Sequence, residues 1–228
     1  MTRRLLAEAL GTCLLVAVVV GSGVMAERLA DGNLAVALLG NTLATGAMLC
    51  VLIQILGPIS GAHFNPAVTL VFFLQREIGF GQALAYVLVQ FIFAALGTAI
   101  AHLMFDMAIF EPSLHARAGL GQLTGEFIAT FALVIAILGA LATAPKAIAP
   151  IVALTITGGY WFTSSTSFAN PAVTFARMLT NSFSGIRPVD APAFMAAQIA
   201  GAVMAALLSR WLWKKTTTPA FLAKAPAA

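Results

Sequence analysis

The sequence predicts an all-α integral membrane protein made of two inverted repeats, each with three spans and one broken helix. Three observations predict it. Of the 228 residues, 61% are hydrophobic and only 9% charged, against about 25% charged in a soluble domain. Apolar stretches long enough to cross a bilayer recur along the chain, and the mean hydropathy is +0.97. The tripeptide Asn-Pro-Ala occurs twice, at Asn65-Pro66-Ala67 and Asn170-Pro171-Ala172, each time extended to Asn-Pro-Ala-Val-Thr.

A hydrocarbon core about 30 Å thick needs about 20 apolar residues per helix. Six spans are read at roughly 5–25, 34–56, 82–105, 120–142, 147–164 and 191–213. The first imitates a signal peptide, and Arg3-Arg4 imitates a twin-arginine signal. It belongs to the fold instead, because Ala7-Glu8-Ala9-Leu10-Gly11-Thr12 is echoed by Gly125-Glu126-Phe127-Ile128-Ala129-Thr130. Gln90 and Gln198 follow the two Asn-Pro-Ala motifs at similar distances. Three spans per repeat invert the second repeat relative to the first. Inverted repeats place a functional site near the bilayer midplane, built from broken helices.

Those broken helices are predicted to run from Asn65 to about Gln75 and from Asn170 to about Asn181. About eleven residues at about 1.5 Å each reach half a bilayer. Pro66 and Pro171 suit the first helical position, and Asn65 and Asn170 the capping position. The preceding segments, 57–64 and 163–169, are polar and read as irregular. Irregular backbone at membrane depth is tolerated only when buried in protein or lining a water-filled cavity. The two half-helices should therefore enter from opposite faces and meet at their N-termini. Facing N-termini concentrate positive potential, which repels cations and proton carriers. The two Asn side chains are expected to cap the helices and to donate amide hydrogens into the lumen.

Residues 1–215 form one channel domain on this reading, with repeats at about 5–105 and 120–213 and a disordered cytoplasmic tail at 216–228. Arg3, Arg4, Arg76, Lys146, Arg210, Lys214, Lys215 and Lys224 fall on one side of the six-span scheme. Arg28, Arg117, Arg177 and Arg187 fall on or near the other. The majority side is cytoplasmic by the positive-inside rule, so both termini are expected inside. A net charge of +4 with its basic residues at the helix ends gives topology, not a nucleic-acid partner; the expected partner is the lipid bilayer. Cys13 and Cys50 have no metal-ligand spacing and read as buried thiols. Ser164, Ser165 and Ser167 lack a base at useful spacing, so neither an enzyme, a cofactor nor a metal is expected. His102 and His115 read as surface or interfacial.

Carboxylates inside spans are costly and usually functional. Glu8 and Glu126 therefore leave two readings open. One is a passive channel with structural glutamates. The alternative is an ion- or proton-coupled secondary transporter using Glu8 and Glu126. A junction or adhesion protein is a third class, for which the loop at 106–119 offers no signal.

The run Ser60-Gly61-Ala62-His63-Phe64-Asn65-Pro66-Ala67-Val68-Thr69, the second Asn-Pro-Ala and the paired Glu8 and Glu126 resemble the aquaporin and aquaglyceroporin channels, the major intrinsic proteins. The likeness covers residues 5–213. It implies a right-handed bundle of six helices plus two half-helices, one pore per subunit and a homotetramer; small size and short loops suggest a bacterial inner membrane. It implies passive conduction of small neutral solutes, with Glu8, Glu126 and His63 supporting the re-entrant loops.

The chain departs from the family at its constriction. Family members normally place arginine directly after the second Asn-Pro-Ala; here that residue is Val173. Counting along the family pattern puts the other constriction positions at Thr45, Gly158 and Ser167. Thr-Gly-Ser-Val matches neither the water nor the glycerol subgroup and predicts a wide, uncharged filter for water, glycerol-like polyols and similar solutes. Valine at this position is similar to the aquaglyceroporins of bacterial arsenic-resistance operons, which implies arsenous acid as a further candidate. Arg177 lies one turn beyond Val173 on the same helix face. It either reaches over the outer vestibule or caps the half-helix.

Overall fold

A computed structural model describes residues 1–213; the predicted tail at 216–228, with Lys214, Lys215 and Lys224, lies outside the described residues. The described chain is helical and has no strand. Its elements are α1 (Thr2–Leu29), α2 (Leu34–Ser60), α3 (Pro66–Leu74), α4 (Phe80–Met104), α5 (Leu120–Thr143), α6 (Ile148–Phe162), α7 (Pro171–Arg177) and α8 (Ala191–Leu212), with a 3₁₀ turn at Pro145–Ala147. α3 and α7 are the half-helices.

The most extensive helix pairs are α1 with α4 and α5 with α8, and α1 packs almost as extensively on α2. Glycine permits the approach at corresponding places. A Cβ on Gly97 would overlap the Cys13 carbonyl oxygen, and one on Gly201 the Phe127 carbonyl oxygen. Without a hydrophobic force between helices in lipid, such small-residue contacts let backbones pack closely. α2 against α6 joins the two repeats. The outer surface is apolar: Leu84, Leu88, Ile92 and Leu96 form an exposed stripe along α4 at helical i, i+4 spacing.

The face where α1 begins and α8 ends is here the proximal face, and the opposite one distal. Arg210 reaches the Leu74 carbonyl at 2.8 Å on the proximal side. Arg28 reaches the Phe105 carbonyl at 3.0 Å on the distal side. Glu27, at the same distal end of α1, accepts from Phe183 N at 2.9 Å in the segment that follows α7, so α3 and α7 return to opposite faces.

Three boundaries differ from the sequence expectation. α2 runs through Gly57-Pro58 to Ser60, so only residues 61–65 are irregular. The stop is Gly61, whose φ of 93° gives a left-handed cap with its N–H on the Gly57 carbonyl; Pro58 merely sits inside the helix. α7 ends at Arg177 rather than near Asn181, because the chain turns back: Ile186 N–H returns to the Arg177 carbonyl at 3.1 Å. α6 is only 15 residues. It needs no more, since residues 163–169 re-enter the fold directly from its end.

Candidate functional site

Each half-helix is held by one buried Glu–Gln–Thr cluster. In the first repeat, Glu8 Oε1 accepts from Ser60 Oγ (2.7 Å) and His63 N (3.0 Å), and Oε2 from Phe64 N (2.8 Å) and Gln90 Nε2 (2.9 Å). Gln90 Nε2 also donates to Thr69 Oγ1 at 3.0 Å. In the second repeat, Glu126 accepts from Phe168 N and Ala169 N, both at 2.9 Å, and from Gln198 Nε2. Gln198 Nε2 donates in turn to Thr174 Oγ1 at 2.8 Å. Glu8, Glu126, Gln90, Gln198, Thr69 and Thr174 are all fully buried. Both carboxylates therefore act as acceptors for loop N–H groups.

Those N–H groups belong to strained backbone. Ala62 and Phe64 have φ of 51° and 48°; Ser167 and Ala169 have φ of 50° and 48°. Left-handed non-glycine residues are uncommon and cost roughly 1–3 kcal/mol each. They sit at equivalent places, one and three residues before each capping Asn. The Glu8 and Glu126 carboxylates, as acceptors for the neighbouring N–H groups, hold the loops there.

Asn65 and Asn170 cap the half-helices. Asn65 Oδ1 accepts from Ala67 N at 2.8 Å, and Asn170 Oδ1 from Ala172 N at 2.9 Å and Val173 N at 3.3 Å. Each amide nitrogen also donates across the midplane: Asn65 Nδ2 to the Ala169 carbonyl (2.7 Å) and Asn170 Nδ2 to the Phe64 carbonyl (2.8 Å). One amide hydrogen of each Asn is thus committed to the opposite loop, a cross-link between the repeats that the motif alone did not suggest. Pro66, Ala67, Pro171 and Ala172 form the buried junction between the two N-termini.

A cavity of about 410 Å³ runs past this junction. One wall is aliphatic, from Leu15 and Val19 of α1, Leu49 and Ile53 of α2, Leu133 and Ile137 of α5, and Val152 and Ile156 of α6. Asn65, Asn170 and the re-entrant loops supply the polar side. His63 lines it with its ring stacked on Phe72 at 4.6 Å. Thr69 Oγ1, accepting from Gln90, contacts His63 Nδ1 at 3.1 Å. Lys146 lines the proximal mouth.

On the distal side, Thr45, Ser167, Val173 and Arg177 line the cavity, but Gly158 does not. Gly158 is exposed on the outer surface. A Cβ there would meet nothing within 4 Å. The lining face of α6 is Ala149, Val152, Ile156 and Tyr160, and at 100° per residue position 158 points away from it. Tyr160 takes the place assigned to Gly158, its hydroxyl 3.4 Å from Thr45 Oγ1. The distal lining thus carries an aromatic ring, and Gly158 is not part of it.

Arg177 is 1% exposed. Its Nε donates to the Ser184 carbonyl, and its guanidinium carbon lies 3.3 Å from the Phe168 ring centroid.

The profile of the major intrinsic protein family matches residues 1–160 and 146–228. The chain belongs to the major intrinsic protein family. Its members are membrane channels and not enzymes, and this chain is a passive channel of that kind. It is 54% identical to the aquaglyceroporin AqpS of Rhizobium meliloti, over 93% of this chain and 91% of the relative. It is 31% identical to the probable aquaporin AqpM of Archaeoglobus fulgidus, over 94% and 98%. The solved aquaglyceroporin of Plasmodium falciparum shares the fold, with a TM-score of 0.68 at 21% identity, covering 98% and 99% of the two chains.

Several distal residues gave no motif of their own. Arg117, in the loop before α5, donates to the Gly185 carbonyl (2.8 Å) and to those of Ser165 and Phe183 (3.3 Å each). Its guanidinium carbon is 5.0 Å from the Phe168 ring centroid. Asp190 accepts from Arg117 N at 2.8 Å and from Arg187 at 3.0 and 3.2 Å. The Arg187 hydrogen bonds hold its carboxyl below the usual carboxylate range. His102, expected at the surface, is fully buried, with Nδ1 on the Ala108 carbonyl (2.6 Å) and Nε2 on Thr180 Oγ1 (2.7 Å). Cys13 is buried and Cys50 half-buried, and both are free thiols.

Proposed function

We propose that the channel conducts water and uncharged polyols of glycerol size, and that arsenous acid, a neutral trihydroxy solute, passes by the same chemistry. The observation that carries this is the cavity itself: an aliphatic wall is joined by the re-entrant loop residues and two Asn residues, with no carboxylate among its lining residues. Such a surface desolvates the carbon side of a polyol without penalty and exchanges hydrogen bonds with its hydroxyls. An ion would lose its hydration shell against the aliphatic wall. The facing half-helix N-termini add positive potential at the midplane.

The constriction residues on this reading are Thr45, Tyr160, Ser167 and Val173, with Arg177 in the vestibule beyond them. Asn65 and Asn170 hold the midplane, and Glu8, Glu126 and His63 support the loops. The name of the Rhizobium meliloti relative supports polyol conduction. Residues 1–215 act as one channel domain. The proximal face is cytoplasmic by its excess of basic residues, which puts both termini inside a bacterial inner membrane. Four subunits, each with its own pore, form the assembly, as in the family the chain resembles.

Stopped-flow light scattering on proteoliposomes tests the reading. Water efflux and entry of glycerol and arsenous acid are compared in one preparation. Fast entry of both solutes is expected. Val173→Arg should reduce solute entry sharply while water efflux persists. Fast water efflux with no solute entry in the unaltered protein refutes the polyol reading.

A further inference from the structure

The distal mouth carries a charge that position 173 does not supply. Val173 is aliphatic and lines the cavity beside Thr45 and Ser167. One turn farther along α7, Arg177 lines the same cavity while almost wholly removed from bulk solvent. A buried guanidinium normally sits beside a carboxylate. Among the described residues Arg177 has none within salt-bridge distance, since the ion pair there is Arg187 with Asp190. Its recorded hydrogen bond is Nε to the Ser184 carbonyl, and its two terminal amino groups take no protein acceptor among the described residues.

The group is also fixed in place. It lies flat enough on Phe168 for its central carbon to be 3.3 Å from the ring centroid, and Phe168 is itself 4% exposed and packed edge-on against Phe194 at 5.3 Å. Ser184 is anchored by a buried chain, Ser184 Oγ to Ser182 Oγ (3.2 Å), Ser182 Oγ to Thr180 Oγ1 (2.9 Å) and Thr180 Oγ1 to His102 Nε2 (2.7 Å). Arg117, also over Phe168, spends its donors on loop carbonyls and adds positive potential from behind. A stacked, anchored guanidinium at the edge of the cavity can do two things. It repels cations, and it donates to oxygen atoms of whatever passes.

We infer that Arg177 is the specificity-determining residue of the distal mouth, supplying both the fixed charge that bars cations and the donors that meet solute oxygens. This rests on the channel reading above and names the group that sets its selectivity. Position 173 contributes shape alone.

The test measures cation leak and glycerol entry separately in the same proteoliposomes. Sodium entry is followed with a trapped fluorescent indicator, and glycerol entry by light scattering. The proteins are the unaltered chain, Arg177→Gln, Arg177→Lys and Phe168→Leu, each accepted only with an unchanged helical melting curve by circular dichroism. Arg177→Gln should raise sodium entry at least about fivefold, the Boltzmann factor for a unit charge roughly 4 Å from the path in bulk water. Arg177→Lys should keep the sodium barrier but slow glycerol entry, having lost the planar fork. Phe168→Leu, which frees the guanidinium, should fall between. Sodium entry in Arg177→Gln equal to that of the unaltered protein overturns the inference. Loss of glycerol entry in the unaltered protein would overturn the polyol reading alone, because the sodium comparison stands independently of it.

Discussion

Glu126→Gln isolates what the buried carboxylate does. The side chain is nearly isosteric, so packing is kept. Glu126 accepts three hydrogen bonds and donates none: Phe168 N to Oε1, and Ala169 N and Gln198 Nε2 to Oε2. An amide offers one oxygen and one NH₂. The better orientation puts the oxygen toward Ala169 and Gln198 and the NH₂ against the Phe168 N–H, donor against donor. The Phe168 N–H is then a buried unpaired donor, costing about 1–3 kcal/mol. The other two bonds fall from charge-assisted to neutral, losing about 1 kcal/mol each. The sum is about 3–5 kcal/mol, spent on a loop whose Ser167 and Ala169 are already held at positive φ. At roughly 2–4 °C per kcal/mol for a chain of this size, the melting temperature in detergent should fall by about 6–20 °C. Below that melt the re-entrant segment loosens, so glycerol and water entry should both drop severalfold. A proton-coupled transporter would instead keep its stability and lose solute accumulation against a gradient. A Glu126→Gln protein that melts within about 2 °C of the parent and conducts normally would refute the loop-holding role.

Three further outcomes follow from the geometry. Tyr160→Ala removes the aromatic ring facing Thr45 and should admit polyols larger than glycerol, read as faster swelling with a five- or six-carbon polyol; unchanged size selectivity would move the constriction elsewhere. Gly201→Ala drives a methyl into the Phe127 carbonyl oxygen, where backbone cannot yield, and should cost about 1–3 kcal/mol by thermal melting, whereas Gly121→Ala, whose Cβ would meet nothing, should cost little. Asp190 is held below the usual carboxylate range by Arg187, so its contribution is present above the unfolded value of about 3.9 and lost as pH falls through the lower folded value. The melting temperature of the parent should therefore decline on acidification below about pH 4 more steeply than that of Asp190→Asn; parallel curves would show that Asp190 does not contribute.

Much of the site was legible because its residues announce themselves chemically. Carboxylates and glutamines inside apolar spans are costly, so Glu8, Glu126, Gln90 and Gln198 stand out in a chain that is 9% charged. Their joint service to Thr69 and Thr174, in the shared Asn-Pro-Ala-Val-Thr, was one step further and could have been read from that repeat. Arg117 and Tyr160 were less accessible. An arginine in a polar loop gives no periodic signal, and Phe168 and Tyr160 are unexceptional in a chain with 16 Phe and 2 Tyr. Gly158 was misplaced because counting back from Asn170 assumes a fixed path between helix and motif. The end of α6 at Phe162 changes which residue faces inward, and one step along a helix turns a side chain by 100°.

The amino-acid order alone determined the membrane class, the two inverted repeats, the half-helices and their caps. Each of these follows from local composition, from proline and asparagine at helix starts, or from exact repetition. Only the tertiary structure decided which loop carbonyls the asparagines reach, which face of α6 lines the cavity, and where the Arg177 charge comes to rest. Those depend on contacts between residues as far apart as Asn65 and Ala169 and on the phase of each helix at the point of contact, and neither is encoded in any local run of sequence.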